Sequence, residues 1–212
     1  MTVLTPTLRE GDITIRPIRL RDARLLEREL LQNRDWLRRW EATNPVAPMN
    51  FDVRGSIRSL LSHARGGLGL PFLIEYKGEI AGQLNVSAIA YGSVSSATIG
   101  YWVSERFAGK ELTPTAVALA TDHCFFSMGL HRMEICIRPE NEPSLRVTEK
   151  LGFRYEGLRR RYIHINGDWR DHFCFALTVE DVPTGVLRRW RDGAVPSGFG
   201  SVPEADRRLA LG

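Results

Sequence analysis

Residues able to do chemistry gather at two places where a strand-like run gives way to a helical one. The first is GYWVSERFAGKELTPTAV (residues 100–117), which brings Arg106, Gly109, Lys110 and Thr113 to the start of a long apolar helix. Unpaired N–H groups at a helix start, with the positive end of its dipole, suit a phosphate or pyrophosphate. Glycine lets backbone approach such a ligand closely, and lysine adds a charged donor. The second is RPENEPSLRVTEKLGF (residues 138–153), where Asn141 and Ser144 follow a strand stopped by a proline. Both also read as ordinary helix starts: Asn141 is a natural N-cap, Pro143 fits a first turn, and Lys150 with Gly152 makes a conventional end. Two such junctions at the same end of neighbouring strands would nevertheless form a cleft, where anionic ligands bind outside the carboxyl ends of the strands.

Around these junctions lie further candidates. Glu134, on a strand beside the second junction, is a candidate general base or else a solvated, ion-paired carboxylate. Tyr101 contacts a substrate or fills the core. His164, Asp171 and His172, late in the chain, either line an acceptor side or serve the structure. Trp36 and Trp40 are one helical turn apart in an arginine-rich segment, floor for an acceptor groove or hydrophobic seam.

The elements that must position these groups follow from periodicity. Residues 13–18 alternate as a strand, and 20–33 carry apolar residues at helical spacing. A second helical region covers 52–65. Strands on either side of Lys77-Gly78 form a hairpin, and another strand covers 97–104. Helices over 111–128 and 142–151 flank a strand over 131–137. Asn166-Gly167 turns a final hairpin of 153–165 with 169–178. The resulting order, β-α-α-β-β-β-α-β-α-β-β, predicts a mixed α/β single domain. Residues 1–10 are expected to be a flexible N-terminus, 11–182 the domain, and 183–212 a short basic helix with a mobile Pro/Gly/Ser-rich tail.

Composition narrows the function classes. Formal net charge is +4 and the sequence pI about 9.2, without the concentrated basic stripe of a specific DNA reader. That balance suits polyanionic surroundings such as a ribosome, or an anionic cofactor. Cys124, Cys136 and Cys174 are scattered through apolar runs without CxxC or histidine spacing, which predicts buried reduced thiols and no metal. The N-terminus lacks the apolar core of a signal peptide, and no apolar run reaches membrane-spanning length, so the expectation is a cytoplasmic chain without a membrane partner. No GxGxxG follows a strand, and Gly109-Lys110 lacks the rest of a Walker A motif.

The pairing of GYWVSERFAGKELTPTAV with RPENEPSLRVTEKLGFRYEG resembles the GNAT superfamily of acetyl-CoA-dependent N-acetyltransferases, over roughly residues 10 to 180. NRDWLRRWE, the ENxxSxxxxEKLGF run and DWRDH resemble the branch of ribosomal-protein-alanine N-acetyltransferases. The resemblance implies a single GNAT-like α/β domain whose central mixed sheet is splayed and flanked by helices. It places the pyrophosphate loop on residues 108–113, so that amides from Gly109 through Lys110, Glu111 and Leu112 to Thr113 hold the phosphates. Trp102 and Val103 would hydrogen-bond the pantetheine arm, Asn141 the arm near the thioester, and Ser144 would protonate the departing thiolate. Three positions depart from the pattern: Glu111, Thr113, which stands where the family has glycine or alanine, and Thr148. Glu111 stands where the family has a loop glycine, so its side chain must turn outward and its backbone must tolerate the loop. Thr148 stands where some members carry an acidic tyrosine, which leaves the role to Ser144.

The expected reaction is direct attack of a neutral amine on the thioester, with the Val103 N–H meeting the oxyanion. An α-amino group ordinarily titrates at about 8, so it is partly neutral near pH 7. The leading expectation is therefore acetylation of a protein or peptide N-terminus, a ribosomal protein among them, by a monomer or homodimer. The alternatives are acetylation of a small amine (polyamine or aminoglycoside) and a non-catalytic acyl-CoA-binding module.

Overall fold

A computed structural model describes residues 5–46 and 51–211. Eight strands form one sheet: β1 (Leu8–Glu10), β2 (Ile13–Pro17), β3 (Leu70–Tyr76), β4 (Glu79–Ala90), β5 (Ser96–Val103), β6 (Arg132–Ile137), β7 (Arg154–Ile165) and β8 (Asp168–Thr178). Their spatial order is β1-β2-β3-β4-β5-β6-β8-β7. Every neighbouring pair is antiparallel except β5 with β6. The helices are α1 (Ala23–Gln32), α2 (Arg34–Leu37), α3 (Val53–Arg65), α4 (Leu112–Asp122), α5 (Glu142–Leu151), α6 (Val186–Arg191) and α7 (Glu204–Leu211).

Strand alternation sorts the core into two layers. On β3, Phe72 and Ile74 face the larger cluster, shared with α4 and α5, while Leu73 faces Leu26 of α1 with Val53 and Ile57 of α3. Because α4 is packed on nearly all sides, its sequence is apolar nearly all round (Ala116, Val117, Ala118 and Ala120 are fully buried). The two expected tight turns are present, with positive φ at both central residues of each: Lys77 and Gly78, Asn166 and Gly167.

Both ends of the chain are more ordered than expected. Leu8–Glu10, in the segment expected to be flexible, is a strand paired with β2 across a turn at Gly11. Three residues are too short for periodicity to reveal. Residues 1–4 of that segment, and Gly212 of the tail, lie outside the described residues. Nor is the tail loose: Val202 is buried in the main core, the Tyr155 hydroxyl donates to Asp206 at 2.7 Å, and Arg207 reaches Glu142 at 3.4 Å. Its apolar anchors are spaced by neither strand nor helix period, so they leave no pattern in the sequence.

Candidate active site

β5 and β6 pair only over Ser96–Thr98 and Arg132–Glu134. Beyond that register they diverge, and the opening between them is the floor of two adjoining clefts. On its other edge β5 is held tightly to β4. A Cβ on Gly82 would lie 2.1 Å from the Trp102 carbonyl oxygen, so only glycine fits there. The Ser104 N–H bonds Ala81 of β4 at 2.8 Å. Strand alternation then points the amides of Val103 and Tyr101 the other way, into the splay. Trp102, paired with Gln83, turns its backbone to β4, so it gives the cleft a side-chain wall and not the backbone contact expected of it.

A strap closes the open side. The Trp36 indole N–H donates to the Val103 carbonyl at 3.2 Å, and Thr43 N–H to the His164 carbonyl at 2.8 Å. Arg138 donates to the Arg39 carbonyl at 2.7 Å, while its guanidinium and that of Arg39 each lie over the Trp40 ring. Residues 36–43 thus bridge β5, β6 and β7, and the two tryptophans belong to the site.

The larger cleft, about 770 Å³, is lined by Trp36, Trp40, Tyr101, Trp102, Val103, Gly109, Glu111, Leu112, Thr113, Asn141 and Ser144, with Arg146 and Lys150 from α5. Its phosphate-like end is built from backbone. Gly109 (φ 76°) and Glu111 (φ 58°) are both left-handed, and α4 opens with no side-chain cap. The N–H groups of Leu112 and Thr113 therefore have no acceptor within the helix, and Pro114 has none to offer. Leu112 itself is buried in the core and anchors the turn.

Glu111 adopts the glycine-like backbone and commits its carboxylate to ion pairs at the edge of the cleft. It pairs with Arg191 of α6 at 3.1 Å and Lys150 at 3.6 Å, so its charge is balanced beside the amides. Arg106 and Lys110 do not line the cleft. Arg106 bonds Glu29 at 2.9 Å and Glu79 at 2.8 Å and stacks on Phe107, tying the loop to α1. Buried Glu29 also accepts from the Ser104 hydroxyl at 2.8 Å, which explains why a charged pair sits there. Lys110 lies over the rings of Tyr76 and Phe107. Both cations are committed to the loop's frame, away from the expected phosphate contacts.

At the second junction the Asn141 side chain caps α5, accepting from Ser144 N–H at 3.3 Å. Ser144 stands between both clefts, next to the Tyr101 hydroxyl. That hydroxyl is buried without a well-formed hydrogen bond. Burial pushes Tyr101 up to about 12, partly offset by the Ser144 hydroxyl, so it stays protonated. Thr148 is fully buried and bonded to the Leu145 carbonyl at 2.8 Å, remote from proton transfer.

The smaller cleft, about 200 Å³, shares Trp40, Tyr101, Arg138, Asn141 and Ser144 with the larger and adds Cys136, Ile163 and His172. His172 is buried, and its Nδ1 meets the Arg170 carbonyl at 3.0 Å. A carbonyl only accepts, so Nδ1 carries the proton and Nε2 is the ring's acceptor. Burial lowers its pKa from 6.5 and favours the neutral ring. Glu134, expected as a base, is on neither cleft. It is held by Arg132 at 2.8 Å and Arg159 at 3.3 Å, on the part of β6 still paired with β5. The structure thus makes Glu134 an ion-paired sheet residue.

Several groups at the site carry no local signal in the sequence. Arg191 and Gly82 act across distant elements, and Arg138 and Arg146 look like surface arginines. Cys136 and Cys174, expected as isolated thiols, are register partners on β6 and β8. Among the described residues no cluster could hold a metal ion, and no helix is long and apolar enough to cross a membrane.

Residues 12–154 match the Acetyltransferase (GNAT) domain family. The chain is 30% identical over 178 residues to the [Ribosomal protein uS5]-alanine N-acetyltransferase of Escherichia coli, covering 82% of this chain and 91% of that protein. It is 37% identical over 102 residues to the probable N-acetyltransferase YjcK of Bacillus subtilis, a match spanning 48% of this chain and only 56% of that relative. Among solved structures, Mycobacterium smegmatis RimJ in complex with CoA-disulfide superposes with a TM-score of 0.80 at 38% identity, covering 87% of this chain and 90% of that one.

Proposed function

The chain belongs to the GNAT family and is an N-acetyltransferase, and on that premise we propose that it moves the acetyl group of acetyl-CoA to the N-terminal α-amino group of a protein, with a ribosomal protein as acceptor. The observation that carries this reading is the pair of clefts meeting at Tyr101, Asn141 and Ser144, one ending in uncapped backbone amides and the other in a neutral histidine. Two substrates reaching one wall from two sides is the arrangement that direct transfer needs.

Acetyl-CoA, when bound, supplies an activated acetyl thioester. The amides of Gly109, Leu112 and Thr113 hold its diphosphate, and Arg146 and Lys150 add positive charge. The Val103 N–H, freed by the splay, is the donor for the acyl oxygen, while Trp36 occupies the neighbouring carbonyl and fixes the strand end. His172 Nε2 takes the proton of the attacking amine. Ser144 gives a proton to the leaving sulfur, and Tyr101, kept protonated by burial, stands beside it as a neutral hydroxyl.

The lining argues for a peptide over a polyamine. Among the described residues no carboxylate lines the smaller cleft, where the amine must arrive, and its one arginine is Arg138. A polycation would find no countercharge there. Calorimetry with acetyl-CoA should give micromolar binding. Acetylation of peptides starting in Ala, Ser or Thr should then appear by mass spectrometry on the α-amine. Binding of acetyl-CoA with acetylation only of spermidine or of internal lysines overturns the acceptor assignment; absence of binding by a folded sample overturns the cofactor site.

A further inference from the structure

Cys136 on β6 faces Cys174 on β8 in register, with the two sulfurs 3.0 Å apart. Opposed antiparallel residues have Cα atoms about 4.5–5.5 Å apart, within the span a disulfide bridges without backbone movement. The two thiols differ in access. Cys136 is part exposed and lines the smaller cleft, whereas Cys174 is buried behind it. The Arg159 guanidinium lies 3.7 Å from the Cys136 sulfur. Cys124, by contrast, is buried with no thiol partner, and burial pushes it up to about 12. The hydrogen bond between the thiols lowers Cys174 and raises Cys136, while Arg159 favours a thiolate on either; across 3.0 Å one proton passes between the sulfurs, so the accessible Cys136 shares the thiolate.

We propose that Cys136 and Cys174 form a thiol–disulfide exchange site for low-molecular-weight disulfides, with Cys136 the accessible attacking thiol and Cys174 the buried resolving one. The Cys136 thiolate attacks a disulfide RS–SR, forming Cys136–S–SR and releasing RS⁻. The Cys174 thiolate then attacks the Cys136 sulfur, closing Cys136–S–S–Cys174 and releasing a second RS⁻. The dithiol is oxidised by two electrons, RS–SR is reduced to two thiols, and the two cysteine protons pass to those thiolates. A mixed adduct on Cys136 would fill the smaller cleft, so Cys174 removes from it a group the size of R and leaves only a compact bridge against the sheet. This inference does not depend on which amine is acetylated.

The test uses the full chain and glutathione disulfide, followed by alkylation of free thiols and peptide mass mapping without reduction. The wild-type protein should gain the Cys136–Cys174 bridge, keep Cys124 as a free thiol, and hold no glutathione. Cys174→Ser should accumulate one glutathione on Cys136, and Cys136→Ser should stay unmodified at Cys174. A persistent glutathione adduct on wild-type Cys136, or three unreacted thiols after prolonged incubation, overturns the proposal. So does prompt modification of Cys174 in a folded Cys136→Ser protein. The wild-type result decides by itself if either variant fails to fold.

Discussion

The two strand-to-helix junctions look alike in outline and are built in opposite ways. At the β5–α4 junction the working groups are backbone: two left-handed residues, an uncapped helix, and side chains committed to ion pairs. At the β6–α5 junction the helix is capped by Asn141, which accepts from the Ser144 amide, and the working groups are the side chains of Ser144 and its neighbours. A phosphate is held by dipoles that need not move or titrate. Proton transfer requires a group that gives and regains a proton, which backbone cannot do. The uncapped helix is the binding end of the site and the capped helix its chemical end.

Substitutions at the two ends should therefore split kinetically. Ser144→Ala should lower kcat about a hundredfold, in the range of a lost general acid, with KM for acetyl-CoA little changed. Steady-state kinetics checks this; an unchanged kcat would make Ser144 a mere wall residue. Arg191→Glu should do the reverse. It sets a second carboxylate beside Glu111, which now pairs with Arg191 at 3.1 Å, close to where the diphosphate is held. KM for acetyl-CoA should rise about tenfold, equivalent to roughly 1.4 kcal/mol, with kcat preserved. If both variants depress kcat alone, the division of labour between the junctions is wrong.

The legibility of the two junctions differs for the same physical reason. The capped one is readable because its parts are neighbours: Asn141, Pro143, Ser144 and Gly152 lie within one helix and its ends. The tight turns at Lys77-Gly78 and Asn166-Gly167 are readable on the same ground, since each is decided by two residues. The uncapped junction is finished by partners from far away: Arg191 for Glu111, Glu29 for Arg106, Trp36 for Val103. Its arginine and lysine accordingly look like phosphate ligands in the sequence, because beyond the neighbouring Phe107 their partners Glu29, Glu79 and Tyr76 lie outside any local window. Glu134 misleads in the same way: its strand is legible, but Arg159 comes from β7. Cys136 and Cys174 are 38 residues apart, and only the β6–β8 register joins them.

Stability gives a finer test, because the same kind of change should act with opposite sign at the two junctions. Glu111→Gly removes a left-handed non-glycine residue and should stabilise the protein by about 1 kcal/mol, with the loss of two exposed ion pairs a small offset. Asn141→Ala removes a helix cap and should destabilise by about 1 kcal/mol. Denaturant melts of the two variants against wild type read both signs. Matching signs would mean that the β5–α4 loop is not under the strain its φ values imply.

The smallest expected effect is a pH dependence to which, of the two junctions, only the chemical end contributes. The β5–α4 loop contains no imidazole, whereas His172 lies buried beside Ser144 with its pKa lowered from 6.5 by desolvation. In the window between that lowered value and 6.5 the unfolded chain binds more protons than the folded one, so stability rises with pH. The contribution is fully present above 6.5 and is lost as pH falls through the folded value. His123, also lowered by burial, acts with the same sign. Between pH 7 and 6.5 the loss from each imidazole should stay under about 0.7 kcal/mol, since one imidazole can contribute at most about 1.4 kcal/mol per pH unit. His172→Gln should flatten the slope of the melting temperature without abolishing it, because His123 remains. An unchanged slope would mean that the His172 ring is charged or solvated in the folded protein. The neutral base at the end of the smaller cleft, and with it the chemical half of the comparison, would then be lost.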